Sequence, residues 1–281
     1  MTGATGQVGG AATRSLLAAG VPVRALVRAP GRATGIDGAE LATGSFDDEQ
    51  SLARALSGVS AVLLAGRDNP HYAAQMERVL AAAERAGVEH VVALSAIGAS
   101  AGSPIALMRD HAEVEARVRA ASARWTLLRP HLYMQNLLRA ADTVRAEGRL
   151  AAPMGDLAFP FADSRDVGAA AAVVLRDPAA HAGVTHALTG PVAQTYASIA
   201  DALTRLLERP VAYDAVEPEA YLADLLAAGI PGWRARDLAF IASAYAAGEL
   251  VASPGLATLL GRPPRSLRGF LEEHRGTFLS P

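Results

Sequence analysis

Thr2-Gly3-Ala4-Thr5-Gly6-Gln7-Val8-Gly9 opens the chain, and the reading of everything downstream turns on it. Its glycines stand three apart, and an apolar-periodic stretch over 8–19 follows at once. Glycine permits a tight turn and a close approach of backbone to a pyrophosphate, while a helix N-terminus offers free N–H groups and a positive dipole end to the anion. A glycine triplet alone is weak evidence. It gains force here because short β-branched runs then alternate with longer amphipathic patterns, the signature of a parallel sheet covered by helices.

The alternation predicts strands over 21–27, weakly over 40–43, and over 59–65, 90–95 and 125–129, with helices over 8–19, 48–56, 71–86 and 109–121. Gly20 and Gly87 each follow a helical stretch, where a residue with positive φ ends a helix. After residue 130 the pattern is less regular: a helix over 165–175 with Asp163 or Ser164 as N-cap, a strand over 185–188, a helix over 196–207, a strand over 211–216, and helices over 218–228, 234–247 and 264–274. The fold class is therefore α/β, a Rossmann-like doubly wound parallel sheet with a small C-terminal α/β subdomain. Residues 1–150 are expected to form the nucleotide-binding core, 156–190 to return to it, and 191–281 to form a small, mainly helical subdomain for substrate or partner. Because the motif begins at Met1, the central first strand, which needs about five apolar residues before the turn, reads as truncated. A missing central strand would leave its neighbours unpaired, so a start set a few codons late is the preferred reading.

Composition narrows the chemistry. With 281 residues, 51% hydrophobic and 19% charged, the chain can bury one large core. A formal net charge of −2 provides no basic field, which argues against a nucleic-acid partner. Apolar stretches break well short of the roughly 20 residues of a membrane span, and no signal-peptide pattern is present, so a soluble, cytoplasmic protein without a membrane role is expected. Cysteine is absent and every one of the 26 basic residues is arginine. Thiolate chemistry, Cys-based zinc sites, Schiff bases and any Tyr/Lys proton relay within the chain are thereby excluded. The seven histidines are dispersed without ligand spacing, so no metal site is expected.

Arg28 closes the second predicted strand, where an acidic residue would accept hydrogen bonds from an NAD ribose. An arginine there suits a 2′-phosphate through a charge-assisted fork, which predicts NADP(H) in preference to NAD(H).

With these residues in place the chain resembles the NmrA-like group of atypical short-chain dehydrogenase/reductases, especially the NAD(P)H-dependent quinone-oxidoreductase-like members. The resemblance rests on the glycine turn, Ala25-Leu26-Val27-Arg28, Ser45-Phe46-Asp47-Asp48, Val91-Val92-Ala93-Leu94-Ser95-Ala96-Ile97-Gly98, His111-Ala112-Glu113-Val114-Glu115, Trp125-Thr126-Leu127-Leu128-Arg129-Pro130, Tyr133-Met134-Gln135-Asn136 and Arg165-Asp166-Val167. It implies that Gly3, Thr5, Gly6, Gln7 and Val8 hold the pyrophosphate and Arg28 the 2′-phosphate. Phe46 and Asp47 would lie near the adenine, Ala65 and Gly66 along the ribose, and Ser95 and Ala96 by the nicotinamide ribose. These segments end successive predicted strands, the edge where open α/β sheets bind ligands.

The parent superfamily commonly uses Tyr-x-x-x-Lys, but here Leu107 stands four residues before His111 and no lysine exists. Ordinary carbonyl reduction is therefore not expected. An electron-poor quinone or similar activated acceptor demands less of the protein, which must chiefly orient the rings and exclude water. His111 could donate a hydrogen bond or proton and Ser95 could polarise an oxygen. His131, Tyr133 and Asn136, following the strand that ends in Arg129-Pro130, suit a pocket for a flat aromatic substrate. Asp166 reads as structural, a carboxylate near helix N–H groups. The competing reading is a non-catalytic NADP(H)-sensing regulator of the NmrA type, with a homodimer or regulatory protein partner.

Overall fold

The computed structural model describes residues 1–245 and 247–279. The first half builds strands β1 (Arg24–Val27), β2 (Glu40–Thr43), β3 (Ala61–Leu64), β4 (His90–Leu94) and β5 (Arg124–Pro130), with helices α1 (Gln7–Ala18), α2 (Glu49–Leu56), α3 (Tyr72–Arg85) and α4 (Ala106–Ala120) between them. β1 begins at Arg24 rather than at 21, where the sequence pattern starts: Pro22 has no N–H to give a ladder, and pairing with β2 starts at Arg24↔Glu40.

The second half adds α5 (Ala141–Glu147), β6 (Arg149–Ala152), β7 (Ala158–Phe159), α6 (Ser164–Arg176), β8 (Val184–Leu188), β9 (Gln194–Thr195), α7 (Tyr196–Leu207), β10 (Ala212–Ala215), α8 (Pro218–Ala227), α9 (Gly232–Phe240), α10 (Gly255–Leu260), α11 (Leu267–Glu273) and α12 (Arg275–Phe278). The helix expected over 234–247 stops at Phe240 and passes into a 3-10 turn, Ile241–Ala244. Elements without a strong local period escaped the sequence pattern: the 3-10 turn Met134–Ala140, α5, β6 and α10.

β3, β4, β5 and β8 form a four-stranded parallel sheet in that order, and β1 and β2 a separate parallel pair. Met1 and Thr2 bridge the two pieces. The Leu26 N–H donates to the Met1 carbonyl at 3.0 Å, and the Thr2 N–H donates to the Leu63 carbonyl at 3.1 Å. One face of this layer packs α1 and α6 around Val8, Ala12, Leu63, Val92, Leu128, Val167 and Val174. The other packs α2, α3 and α4 around Leu52, Leu64, Met76, Val79, Val91, Val114 and Leu127. Helices on both faces of a parallel sheet make the doubly wound architecture. α1 and α6 lie so close that a Cβ on Gly168 would stand 2.5 Å from the Ala11 Cβ and 2.6 Å from the Val8 carbonyl oxygen.

A further hydrophobic cluster unites residues on both sides of the expected boundary at 150. Ile105, Met108, Met134, Leu137, Val144, Leu150, Phe159 and Phe161 share it with Ile199, Leu203, Phe270 and Phe278. β6 pairs in parallel with β10, and β7 antiparallel with β9. Residues 164–188 lie with the main sheet as α6 and β8, and α10 comes back to pack on both.

Two carboxylates hold α6. Asp163 is its N-cap, accepting from the Arg165 N–H at 2.8 Å. Asp166, fully buried, accepts from Arg262 Nη2 at 2.7 Å, from the Arg265 N–H at 2.6 Å and from Arg265 Nη1. Its task is thus to anchor the loop after α10, while Asp163 serves the helix terminus. Among the described residues no helix is long and apolar enough to cross a membrane, and no cluster of His, Asp or Glu could hold a metal ion.

Candidate functional site

The segments singled out in the sequence meet along the carboxyl edge of the sheet. At one end stands the glycine turn. Gly3 has φ +61°, and a Cβ there would lie 3.1 Å from the Ala65 carbonyl oxygen. The Gly6 N–H donates to the Gly3 carbonyl at 2.9 Å, and a Cβ on Gly9 would stand 2.2 Å from that same oxygen. Thr2, buried behind the turn, accepts from the Ala65 N–H through Oγ1 at 2.8 Å, so the turn is tied to the end of β3. No side chain caps α1 at Gly6. Its first-turn N–H groups are open to an anion, and Thr5, Gly6 and Gln7 are exposed beside them, whereas Val8 turns into the core. The free N–H groups suit a phosphate, and the turn that presents them needs glycine at 3 and 9, because a Cβ there would press on the Ala65 or Gly3 carbonyl oxygen.

Arg28 is exposed immediately beyond β1, and none of the ion pairs among the described residues engages it. Phe46 is half-buried against the α2–α3 cluster. Asp47 is exposed and accepts from Arg78 Nη1 at 2.6 Å and Gln75 Nε2 at 3.1 Å, while Asp48 caps α2. Ala65 is buried and Gly66 half-buried; a Cβ on Gly66 would press on Met76 Cε at 2.7 Å and Tyr72 Cε2 at 3.2 Å.

The other end is built from buried side chains. Ser95 follows β4, and its hydroxyl donates to Glu115 Oε1 at 2.6 Å. Glu115 lies in α4 with 1% of its surface exposed and receives a two-pronged contact from Arg129, Nε at 2.7 Å and Nη2 at 2.6 Å, plus Arg119 Nη2 at 2.9 Å. Burial pushes the Glu115 carboxyl up, but the hydrogen bonds from Arg129 and Ser95 outweigh it and hold the group below its usual range. The Ser95 proton is thereby committed to the protein. Polarising a substrate oxygen, the expected task, would require breaking that bond; as it stands Ser95 locks the turn after β4 to α4. Ala96 beside it packs against the cluster that joins Ile105 and Met108 to Phe270 and Phe278.

His111 is buried one turn before Glu115, its Nδ1 3.3 Å from the Tyr72 hydroxyl. Burial drives its imidazole down to about 4, against the opposing pull of Asp68 and Glu115. Leu107, at the position of the absent relay tyrosine, packs against that same cluster, and its N–H donates to Asp237. The two oxygens of Asp237, from α9, accept from the N–H groups of Ala106 and Leu107 at 3.0 Å each, capping the helix that carries His111. From α9, Arg234 also reaches Asp68 at 3.8 Å.

Beyond β5, His131 is only 3% exposed. Its Nδ1 accepts from the Leu132 N–H at 2.8 Å, and the Tyr245 ring stacks on it with centroids 4.5 Å apart. Burial holds its imidazole down at about 4, the Glu249 backbone opposing. His131 is therefore covered by Tyr245 rather than lining open space. Tyr133 and Asn136 are half-buried, and burial pushes the Tyr133 phenol well above its usual range, with Asp68 adding to the shift.

Four residues here were not singled out by sequence reasoning: Tyr72, Glu115 as a buried ion, Asp237 and Tyr245. Tyr72 reads as one more apolar position of α3 with Met76 and Val79. Glu115 carried a usable signal, since it stands four residues from His111 on one face of a helix.

The NmrA-like family model matches residues 1–251, and the chain belongs to that family. It is 36% identical over 99% of its length to a (4-alkanoyl-5-oxo-2,5-dihydrofuran-3-yl)methyl phosphate reductase of Streptomyces griseus, covering 98% of that protein. It is 31% identical, again over 99% of this chain and 98% of the other, to an NAD(P)H azoreductase of Xenophilus azovorans. Among solved structures, the NADPH-dependent quinone oxidoreductase of Escherichia coli complexed with NADPH superposes with a TM-score of 0.89 at 31% identity, over 97% of this chain and 98% of that one.

Proposed function

We propose that the protein is an NADPH-dependent reductase that passes hydride to a quinone or a similarly electron-poor, flat small-molecule acceptor without a Tyr-x-x-x-Lys relay. The observation that carries this reading is the uncapped glycine turn of α1 paired with the unengaged Arg28 beyond β1, in a chain whose full-length relatives are named as reductases. The turn residues Gly3, Thr5, Gly6, Gln7 and Val8 hold the pyrophosphate through backbone N–H groups and the helix dipole. Arg28 holds the 2′-phosphate, Phe46 and Asp47 flank the adenine, and Ala65, Gly66, Ser95 and Ala96 line the riboses. When bound, NADPH supplies the hydride. The chain's own contribution is to orient the two rings and keep water out, with His111 as hydrogen-bond donor to the acceptor and Tyr133 and Asn136 bounding its pocket.

Fluorescence titration with NADPH and NADH, followed by NADPH oxidation with a panel of small quinones and azo dyes, tests the reading. Tighter binding of NADPH and acceptor-dependent oxidation are expected. Tight binding with no oxidation by any acceptor would overturn the reductase and favour a cofactor-sensing regulator.

A further inference from the structure

Tyr72 is a buried polar side chain that the reading above leaves unused. It opens α3 directly after the loop that leaves β3, and its ring covers Gly66, whose Cβ would stand 3.2 Å from Tyr72 Cε2. Tyr72 is 2% exposed and His111 9%. Their rings meet edge-on, centroids 5.1 Å apart at 69°, and the hydroxyl lies 3.3 Å from His111 Nδ1. A phenol taken out of water must place its proton on an acceptor or forfeit a hydrogen bond. Among the hydrogen bonds of the described residues, the Tyr72 hydroxyl has His111 Nδ1 as its partner. An Nδ1 that accepts carries a lone pair, so a neutral ring keeps its proton on Nε2.

We propose that Tyr72 is a positioning residue: by donating to Nδ1 it fixes His111 as the Nε2–H tautomer and aims that single N–H away from α3, as a neutral donor to the acceptor's oxygen or nitrogen. Burial keeps both partners in the required state, the imidazole uncharged down to about pH 4 and the phenol protonated far above neutrality. In this role the imidazole neither gains nor loses a proton; the proton that completes the two-electron reduction comes from water. The device differs from a Tyr/Lys relay in that the tyrosine never delivers its proton, so no lysine is needed to lower its pKa.

This assignment rests on the reading of His111 as the donor to the acceptor, and the test separates the two. Long-range ¹H–¹⁵N correlation spectra of ¹⁵N-histidine-labelled protein at pH 7, assigned against His111→Gln, read the tautomer without cofactor or substrate. The Nε2–H pattern is expected in the wild type and a tautomer mixture in Tyr72→Phe. With the quinone that the wild type turns over best, Tyr72→Phe is expected to lower kcat about fivefold, the worth of one hydrogen bond, with NADPH affinity kept within about twofold. An Nδ1–H wild type, or a Tyr72→Phe protein with unchanged tautomer and unchanged kcat, overturns the proposal. If the wild type binds NADPH but reduces nothing, the reductase reading falls, and the tautomer measurement alone decides the task of Tyr72. The wild-type spectrum decides equally if Tyr72→Phe does not fold.

Discussion

The two ends of the cleft are made of different material. In the proposed reading the phosphate end is chiefly backbone, a glycine turn and an uncapped helix terminus joined by one exposed arginine side chain, all within the first 28 residues. The proposed acceptor end is built from buried and half-buried side chains: Tyr72 on His111, Ser95 on Glu115, Arg129 of β5 on Glu115, and Tyr245 over His131. Backbone recognition of phosphate needs a local conformation, which a short motif can specify. A buried donor of fixed tautomer needs partners from several elements, because each polar atom withdrawn from water must be matched. The difference suggests a common cofactor end joined to an acceptor end set by packing.

The sharpest way to break this comparison is Gly9→Val. Its Cβ would stand 2.2 Å from the Gly3 carbonyl oxygen, so neither turn nor helix can stay in place. A loss of about 3 kcal/mol or more is expected, read as a collapse of the urea midpoint together with NADPH binding. Retained binding would mean that the turn is not the phosphate site.

Acid should also unsettle the other end. His111 and His131 titrate near 4 in the folded protein against 6.5 in the unfolded chain, owing to burial. Between those values the unfolded state binds protons that the folded state refuses. Their contribution is therefore complete above about pH 6.5 and is lost as pH falls toward 4, by up to about 1.4 kcal/mol per pH unit for each histidine. Urea unfolding from pH 7 to 5 should show this slope, and His131→Phe should flatten it by the share of one proton. An unchanged slope would place the titrating groups elsewhere.

Arg28→Ala is expected to weaken NADPH by about tenfold, the scale of one charged hydrogen bond, and NADH hardly at all. Equal losses in calorimetric titrations would remove its 2′-phosphate role. The smallest effect is expected at the seam between the sheet and the C-terminal elements. Asp237→Ala strips the carboxylate from the first N–H groups of α4 and should cost about 1 kcal/mol, a melting-point drop of about 2–4 °C for a chain of this size. A drop in kcat beyond that would mark α9 as part of the alignment of His111.

Much of the frame was legible because its signals are local. The glycine spacing, the short apolar runs of β3 and β4 and the apolar period of α3 each specify an element within a window of a dozen residues. The Tyr196–Leu207 helix was read to its ends because Thr195 caps it and its buried face repeats cleanly. The extent of α9 was not. The stretch 234–247 has helix-forming residues throughout, yet the chain leaves the helix after Phe240, with Tyr245 stacked on His131 and the Ala244 carbonyl lying against Gly98. That contact joins residues more than a hundred positions apart, and no local propensity reports it.

The sequence by itself therefore determined the frame: an α/β alternation that opens on a glycine turn, an arginine at the end of β1, and no cysteine or lysine to supply thiolate or amine chemistry. Only the tertiary structure decided the states of the polar groups. It committed Ser95 to Glu115, covered His131 with Tyr245, turned Asp166 to the loop after α10 and set Tyr72 against His111. The reason is physical: a turn is fixed by the φ and ψ of a few neighbouring residues, whereas the proton on a buried ring is fixed by whichever partner the fold brings within hydrogen-bonding reach.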